Sequence, residues 1–208
     1  MTSVDWLAVG GDAAPWRRLG LVATPVDENG CVQVPLFGTG IEIDTMAQPG
    51  MRGVVVSGID RHLTDLDGVC VEVRDVDDPM FAQHPLGARS IDHVVVATDD
   101  LARTCAAIAD TTGAALKRVR EAGEIRQGFH RIGGLIIEVV ERAGLPEGST
   151  SLWGFVLIVD DLDAAWSMLG PDVIGEPRDA VQPGRRIATV HSAAGLGVPV
   201  ALMSPDVR

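Results

Sequence analysis

The sequence predicts an α+β protein of repeated βαβββ modules. Three observations predict it. The segment Ile91–Leu101 recurs as Leu152–Leu162, each an apolar run ending in Asp-Asp-Leu. Each copy is followed by apolar residues at helical spacing. Each ends, after a glycine turn, in a second apolar run: Gly134–Val140 in the first copy and Gly197–Met203 in the second.

The runs Ile91–Thr98 and Leu152–Val159 are rich in β-branched and large apolar residues and of strand length, so each reads as a buried strand. Asp99-Asp100 and Asp160-Asp161 then open helices. The first aspartate of each pair is expected to cap the free N–H groups, and the second to sit in the first turn. Leu101, Cys105 and Ile108 share one helical face, as do Leu162, Ala165/Trp166 and Leu169. Gly113 and Gly170 fall where a C-terminal cap belongs. The intervening strands are expected at 115–120 and 125–132 in the first copy, and at 173–175 and 186–191 in the second. Pro199 lacks a ladder donor, which places the last strand at an edge or makes it irregular there.

The N-terminal part carries a fainter version. Val4–Val9 aligns with Ile91–Val96, a short helix is expected over 15–19, and Ile41-Glu42-Ile43 aligns with Ile137-Glu138-Val139. Gly53–Val56 and Val71–Val73 suggest a still shorter unit. Residues 1–80 therefore read as a degenerate, shortened module pair, and residues 81–89, in a segment rich in aspartate and proline that starts at Asp75, as a linker. Residues 90–208 read as a complete pair with modules at 90–148 and 149–205.

The bulk composition excludes several classes. Of 208 residues, 46% are hydrophobic and 22% charged, which suits a folded soluble chain with a real core. A net charge of −12 disfavours nucleic acid as a partner, and no tyrosine with 4% aromatics leaves little to stack on bases. No apolar run approaches a membrane span, and the N-terminus has no signal-peptide pattern. Cys31, Cys70 and Cys105 are far apart, without a CxxC pair, and read as reduced thiols of a cytoplasmic protein. Neither a P-loop, a dinucleotide fingerprint nor a GxSxG motif occurs. His62 and His84 lie in polar or proline-bearing loops and are expected to be solvated.

A first strand bearing His93, an Asp-Asp-Leu entry into a helix and a last strand bearing Glu138 together resemble the vicinal-oxygen-chelate superfamily. Its members include glyoxalase I, methylmalonyl-CoA epimerase, extradiol dioxygenases and the bleomycin-resistance binding proteins. The resemblance implies a glyoxalase-like fold of cupped mixed and antiparallel sheets, in which the first and last strands of two modules aim four ligands at one divalent metal. Carried over by position, His93 and Glu138 are the first module's ligands, whereas Gly154 and Ala201 stand at the second module's positions and offer no donor. The N-terminal pair presents Trp6, Glu42, Gly53 and Glu72 there. The expectation is thus no cofactor or a weakly bound divalent metal.

His93 reads either as a core histidine or as a pocket ligand, acid or base. Ile136 and Val140 share the face of Glu138, so that carboxylate is expected to need a partner, and His93 is the candidate. His130 and His191 precede their modules' last strands and could add a third ligand or contact the bound molecule; as plain loop histidines they would do neither. Trp153 and Phe155, on the second module's first strand, are assigned to the ligand-binding wall. Arg126 is placed there as a carboxylate-binding cation, and Arg185-Arg186 at the rim could act likewise. The leading expectation is binding of a small organic molecule, such as a carboxylate or an acyl-CoA, in an apolar cup. The alternatives are a lyase, isomerase or epimerase acting next to a carbonyl, with Glu138 as base and His93 as ligand or electrophile, and a non-catalytic interaction module. Either a monomer or a homodimer is compatible with the sequence.

Overall fold

The computed structural model describes residues 2–60, 62–75, 81–123 and 125–206. Among them, β1 (Ser3–Gly10), α1 (Ala14–Arg18), β2 (Cys31–Val34), β3 (Gly40–Asp44), β4 (Gly50–Ser57), β5 (Asp65–Leu66) and β6 (Val69–Val73) come first. They build a six-stranded sheet in the order β2-β3-β1-β4-β6-β5. Next follow β7 (Ala88–Thr98), α2 (Leu101–Thr112), β8 (Arg118–Ala122), β9 (Ile125–Ile132) and β10 (Leu135–Glu141). The chain continues through β11 (Thr150–Val159), α3 (Leu162–Leu169), β12 (Arg178–Asp179), β13 (Arg186–Thr189) and β14 (Val200–Met203). Their eight-stranded sheet runs β12-β13-β14-β11-β7-β10-β9-β8.

One pairing rule generates both sheets. A last strand lies parallel beside its first strand: β3 on β1, β6 on β4, β10 on β7 and β14 on β11. Two first strands then meet antiparallel at the centre, β1 with β4 and β7 with β11. Register is kept as well. Val95 lies beside Glu138, Val156 beside Ala201 and Ala8 beside Glu42.

The central strands share a defect. Each skips a residue in the antiparallel ladder at one matching place: Asp5 in β1, Arg52 in β4, Asp92 in β7 and Trp153 in β11, while β7 skips a further one, Arg89, near its start. Each of the four matching residues immediately precedes the position that the resemblance marks for a ligand. A bulge sets two residues against one, re-aims the side chains and bends the strand. Here it lets Asp92 and His93, neighbours in sequence, reach each other with their side chains.

The two faces of the large sheet differ. On one, Val94, Val96 and Ile137 join α2 and the small sheet around an apolar cavity of about 50 Å³ whose walls include Val4, Val54 and Val71. Trp16 of α1 stacks on Phe155 of β11, with ring centroids 6.1 Å apart. One continuous core thus spans both sheets. The opposite face is left open as a cup.

Several local expectations change. The N-cap is the second aspartate of each pair: Asp100 accepts from Ala102 and Arg103, and Asp161 from Ala164. The helices start one residue later than expected, which frees Asp99 to bind Gly148 N and Arg103. Gly113 closes α2 in the left-handed conformation, as expected. The strand expected at 173–175 is reduced to a single bridge between Ile174 and Val190, and β12 forms at Arg178–Asp179 instead. β14 is an interior strand, because Pro199 lies just before its first residue and costs no ladder bond. His84 is buried rather than solvated. Its Nδ1 accepts from Val22 N and its Nε2 donates to Pro35 O, each at 2.9 Å. Asp77-Asp78-Pro79 of the expected linker lies outside the described residues.

The sheets are also clasped by a polar contact. Asp67, in the β5–β6 turn, has φ 50°. Its carboxylate accepts from Arg103 Nε at 2.8 Å and Thr150 Oγ1 at 2.9 Å, and also from Thr104 Oγ1. Burial raises the Asp67 pKa, but these hydrogen bonds and the Arg103 charge outweigh it and hold it below the usual carboxylate range. The charged carboxylate is therefore the form that stabilises the fold. That contribution is complete above the unfolded value of about 4 and is lost as pH falls through the lower folded value. Asp67→Asn keeps a residue tolerant of positive φ and is expected to cost about 1.5–3 kcal/mol at pH 7. In urea unfolding the gap from wild type should shrink below about pH 4; a gap independent of pH contradicts the clasp.

Candidate functional site

The cup is a cavity of about 660 Å³, with an adjoining lobe of about 450 Å³ that shares His93, Glu138, Arg118 and Arg185. Parallel register puts His93 beside Ile136 and Val95 beside Glu138, so His93 and Glu138 project from the same face two steps apart. Gln127 and Phe129 reach that face from β9 by the same alternation.

Five side chains form a continuous chain across the floor. Arg185 donates from Nε to Ser204 O at 3.0 Å and from Nη1 to Asp92 Oδ1 at 2.8 Å. Asp92 Oδ2 lies 2.7 Å from His93 Nδ1. His93 Nε2 lies 3.3 Å from Glu138 Oε2, and Gln127 Nε2 donates to Glu138 Oε1 at 2.5 Å. An ionised carboxylate only accepts, so Asp92 accepts the hydrogen bond from His93 Nδ1, while Nε2 and Glu138 are in close contact. Burial raises the Asp92 pKa, but hydrogen bonds from His93 and Arg185, and their charges, hold it below the ordinary carboxylate range. Asp92 is thus the anchor that fixes both the histidine ring and the guanidinium.

Above the floor the wall is charged, with arginines set beside Asp179 and Asp206. Arg118, Arg120 and Arg178 line the cavity, and none makes an ion pair among the described residues. Arg118 instead lies over the Phe129 ring, 4.8 Å from its centroid. This corrects the expectation of an apolar cup. In a chain with 29 acidic and 17 basic residues, three arginines on one wall concentrate cations there, beside the acidic groups of the same cavity.

The expected site residues divide sharply. His93 and Glu138 meet in the cup, whereas His130, Arg126, Trp153, Phe155 and His191 lie outside it. His130 occupies the other face of β9, 1% exposed, with Nδ1 bonded to Ala114 O at 2.8 Å. Burial lowers its pKa against that hydrogen bond, so it is held neutral under α2. Arg126 pairs with Glu141 at 3.0 Å, and Glu141 in turn accepts from Leu101 N, so this pair supports the start of α2. Phe155 faces Trp16 in the core. Trp153, the bulged residue of β11, is half exposed beneath Arg142. His191 is exposed and precedes a 3₁₀ turn at Ser192–Ala194.

Sequence reading missed Asp92 and Gln127 and left Arg185 at the rim. A strict period of two sets Asp92 opposite His93, and only the bulge brings them together. Gln127 was legible, since it shares the spacing of Phe129 and Arg131 on β9. Nothing in the sequence marks the depth of Arg185, which is 8% exposed.

The metal that the fold implies was tested against these donors. His93 Nε2 and Glu138 face the same point, but Ala201 and Gly154 contribute no donor. A Cβ at Gly154 would sit 2.4 Å from Pro199 O, because the incoming β14 backbone crosses there, so no side chain fits without a backbone shift. Among the described residues, no group of three or more His, Cys, Asp or Glu side chains could hold a metal ion. The donor set therefore does not fit a three- or four-ligand centre.

No family model matches the sequence, and no curated protein does. Solved structures do match. A triple mutant of 4-hydroxymandelate synthase from Streptomyces coelicolor superposes with TM-score 0.69 at 10% identity, over 97% of this chain and 92% of that one. Methylmalonyl-CoA epimerase from Mycobacterium tuberculosis matches 61% of this chain and 93% of its own, with TM-score 0.49 and 21% identity. The fold is a glyoxalase-like fold, shared with that synthase. No helix among the described residues is long and apolar enough to cross a membrane.

Removing Asp92 strands a buried guanidinium. Asp92→Ala is expected to lower stability by about 3–5 kcal/mol, and His191→Ala by less than about 0.5 kcal/mol, both in urea unfolding at pH 7. Equal effects contradict this assignment of buried and exposed groups.

Proposed function

We propose that the cup binds a small organic anion, a carboxylate or the acidic portion of an acyl thioester. The observation that carries this reading is the trio Arg118, Arg120 and Arg178 above the His93–Glu138 floor, none of them ion-paired among the described residues. A guanidinium recognises carboxylate or phosphate through parallel hydrogen bonds. Residues 1–80 serve in this reading as a shortened module pair that covers the opposite face of the large sheet, and a monomer or a homodimer is equally compatible with it. The metal, if one binds, does so weakly through His93 and Glu138.

A second reading is favoured by the Glu138–His93 contact. Glu138 can take a proton from a carbon next to a carbonyl, with His93 held in place by Asp92, as in an epimerase, isomerase or lyase. Gln127 fixes the carboxylate from its other oxygen.

Thermal unfolding with a panel of organic acids and their neutral amides tests the binding. The acids should raise Tm in a saturable way and the amides should not; Arg118→Ala and Arg120→Ala should each weaken the effect about tenfold. Equal stabilisation by acids and amides contradicts an anion cup. For an acid that binds, Glu138→Gln should slow deuterium exchange at its α-carbon by about 10²–10⁴ and leave binding largely intact. Exchange unaffected by that variant removes Glu138 from the role of base.

A further inference from the structure

The second module withholds its two donors, yet the floor of the cup has a fixed positive charge of its own. Arg185 borders both lobes beside His93 and Glu138 and is 8% exposed. Ser204 O and Asp92 lock two of its nitrogens. The third, Nη2, is buried without an acceptor among the described residues. A guanidinium keeps its charge in any protein environment, and a buried donor without an acceptor is costly. Position, charge and spare donor all point to an oxygen that the protein does not itself supply.

We infer that the Arg185 guanidinium takes the place of the divalent metal in this cup, stabilising an oxyanion that forms on a carbonyl ligand, so that the site works without a metal. This rests on the proposal that the cup binds an organic anion. In the proton-transfer step Glu138 accepts the α-proton: the C–H bond breaks and a carboxyl O–H bond forms. The electron pair moves into the C–C bond as the carbonyl π electrons shift to oxygen, giving an enolate. The charge that develops on that oxygen falls in the field of Arg185, which is already oriented and needs no reorganisation. Return of the proton from Glu138 to carbon restores the starting charges, and no electron donor or acceptor is required. Asp92 prevents Arg185 from collapsing onto Glu138, which would neutralise the base.

The test uses oxalate, a planar dianion shaped like an enediolate, in calorimetric titrations of the full chain. Oxalate should bind equally well to protein held in EDTA and to protein supplied with Mn²⁺ or Zn²⁺. Arg185→Gln, checked for folding by circular dichroism, should weaken oxalate at least about tenfold. Binding that appears only with added metal, or an unchanged affinity in folded Arg185→Gln, overturns the inference and leaves the anion cup standing. Failure to bind under either condition overturns both. If Arg185→Gln does not fold, the comparison of chelated with metal-supplied wild type decides alone.

Discussion

The site depends on the bulge at Asp92. Without the extra residue, Asp92 and His93 would point to opposite faces of β7, and the buried Arg185 would have no counter-charge. With it, one carboxylate faces both the imidazole and the guanidinium. An unpaired buried ion costs several kcal/mol, so the alternation of Arg185, Asp92, His93 and Glu138 is what lets four ionisable groups share the floor of one cup.

The same backbone device recurs four times with different outcomes. In the small sheet the bulge at Asp5 precedes Trp6, a buried indole at the place where β7 has His93. Glu42, the counterpart of Glu138, is taken up by Arg74 and by Gln33. The potential cup there is closed by its own side chains. In the second modules the bulges at Arg52 and Trp153 precede Gly53 and Gly154, and at each glycine the neighbouring backbone leaves no room for a Cβ. The pairing rule therefore fixes where a ligand could project, and the side chains at those four places decide whether one does.

How much of this was legible follows from the periods involved. The Asp-Asp-Leu repeats, the glycine turns and the apolar last strands are local patterns, and they placed β7, α2, β9 and β11 correctly. The pair His93 and Glu138 was also accessible, because strand alternation puts Ile136 and Val140 on the face of Glu138. What failed were inferences that needed a face without a local period. His130 lies one residue from Phe129 on β9, and that single step moves it from the cup to the core. Phe155 was assigned to the wall from its strand alone, while its partner Trp16 lies far away in sequence. His191 lies beyond the end of its strand, where alternation no longer reports direction, and Arg126, one residue from Gln127, is on the face of β9 away from the cup. The arginines of the cup were only partly legible, because they come from three places in the chain: Arg118 and Arg120 on β8, Arg178 on β12 and Arg185 just before β13.

The most direct measurement is an NMR titration that follows the arginine side-chain Nε–Hε resonances while an organic dianion is added to the full chain. The signals of Arg118, Arg120, Arg178 and Arg185 should move together and saturate at one midpoint, while those of Arg126 and Arg186, each paired with a carboxylate outside the cup, stay in place. Uniform small shifts across all arginines, or saturable shifts confined to arginines outside the cup, would contradict an anion site above His93 and Glu138.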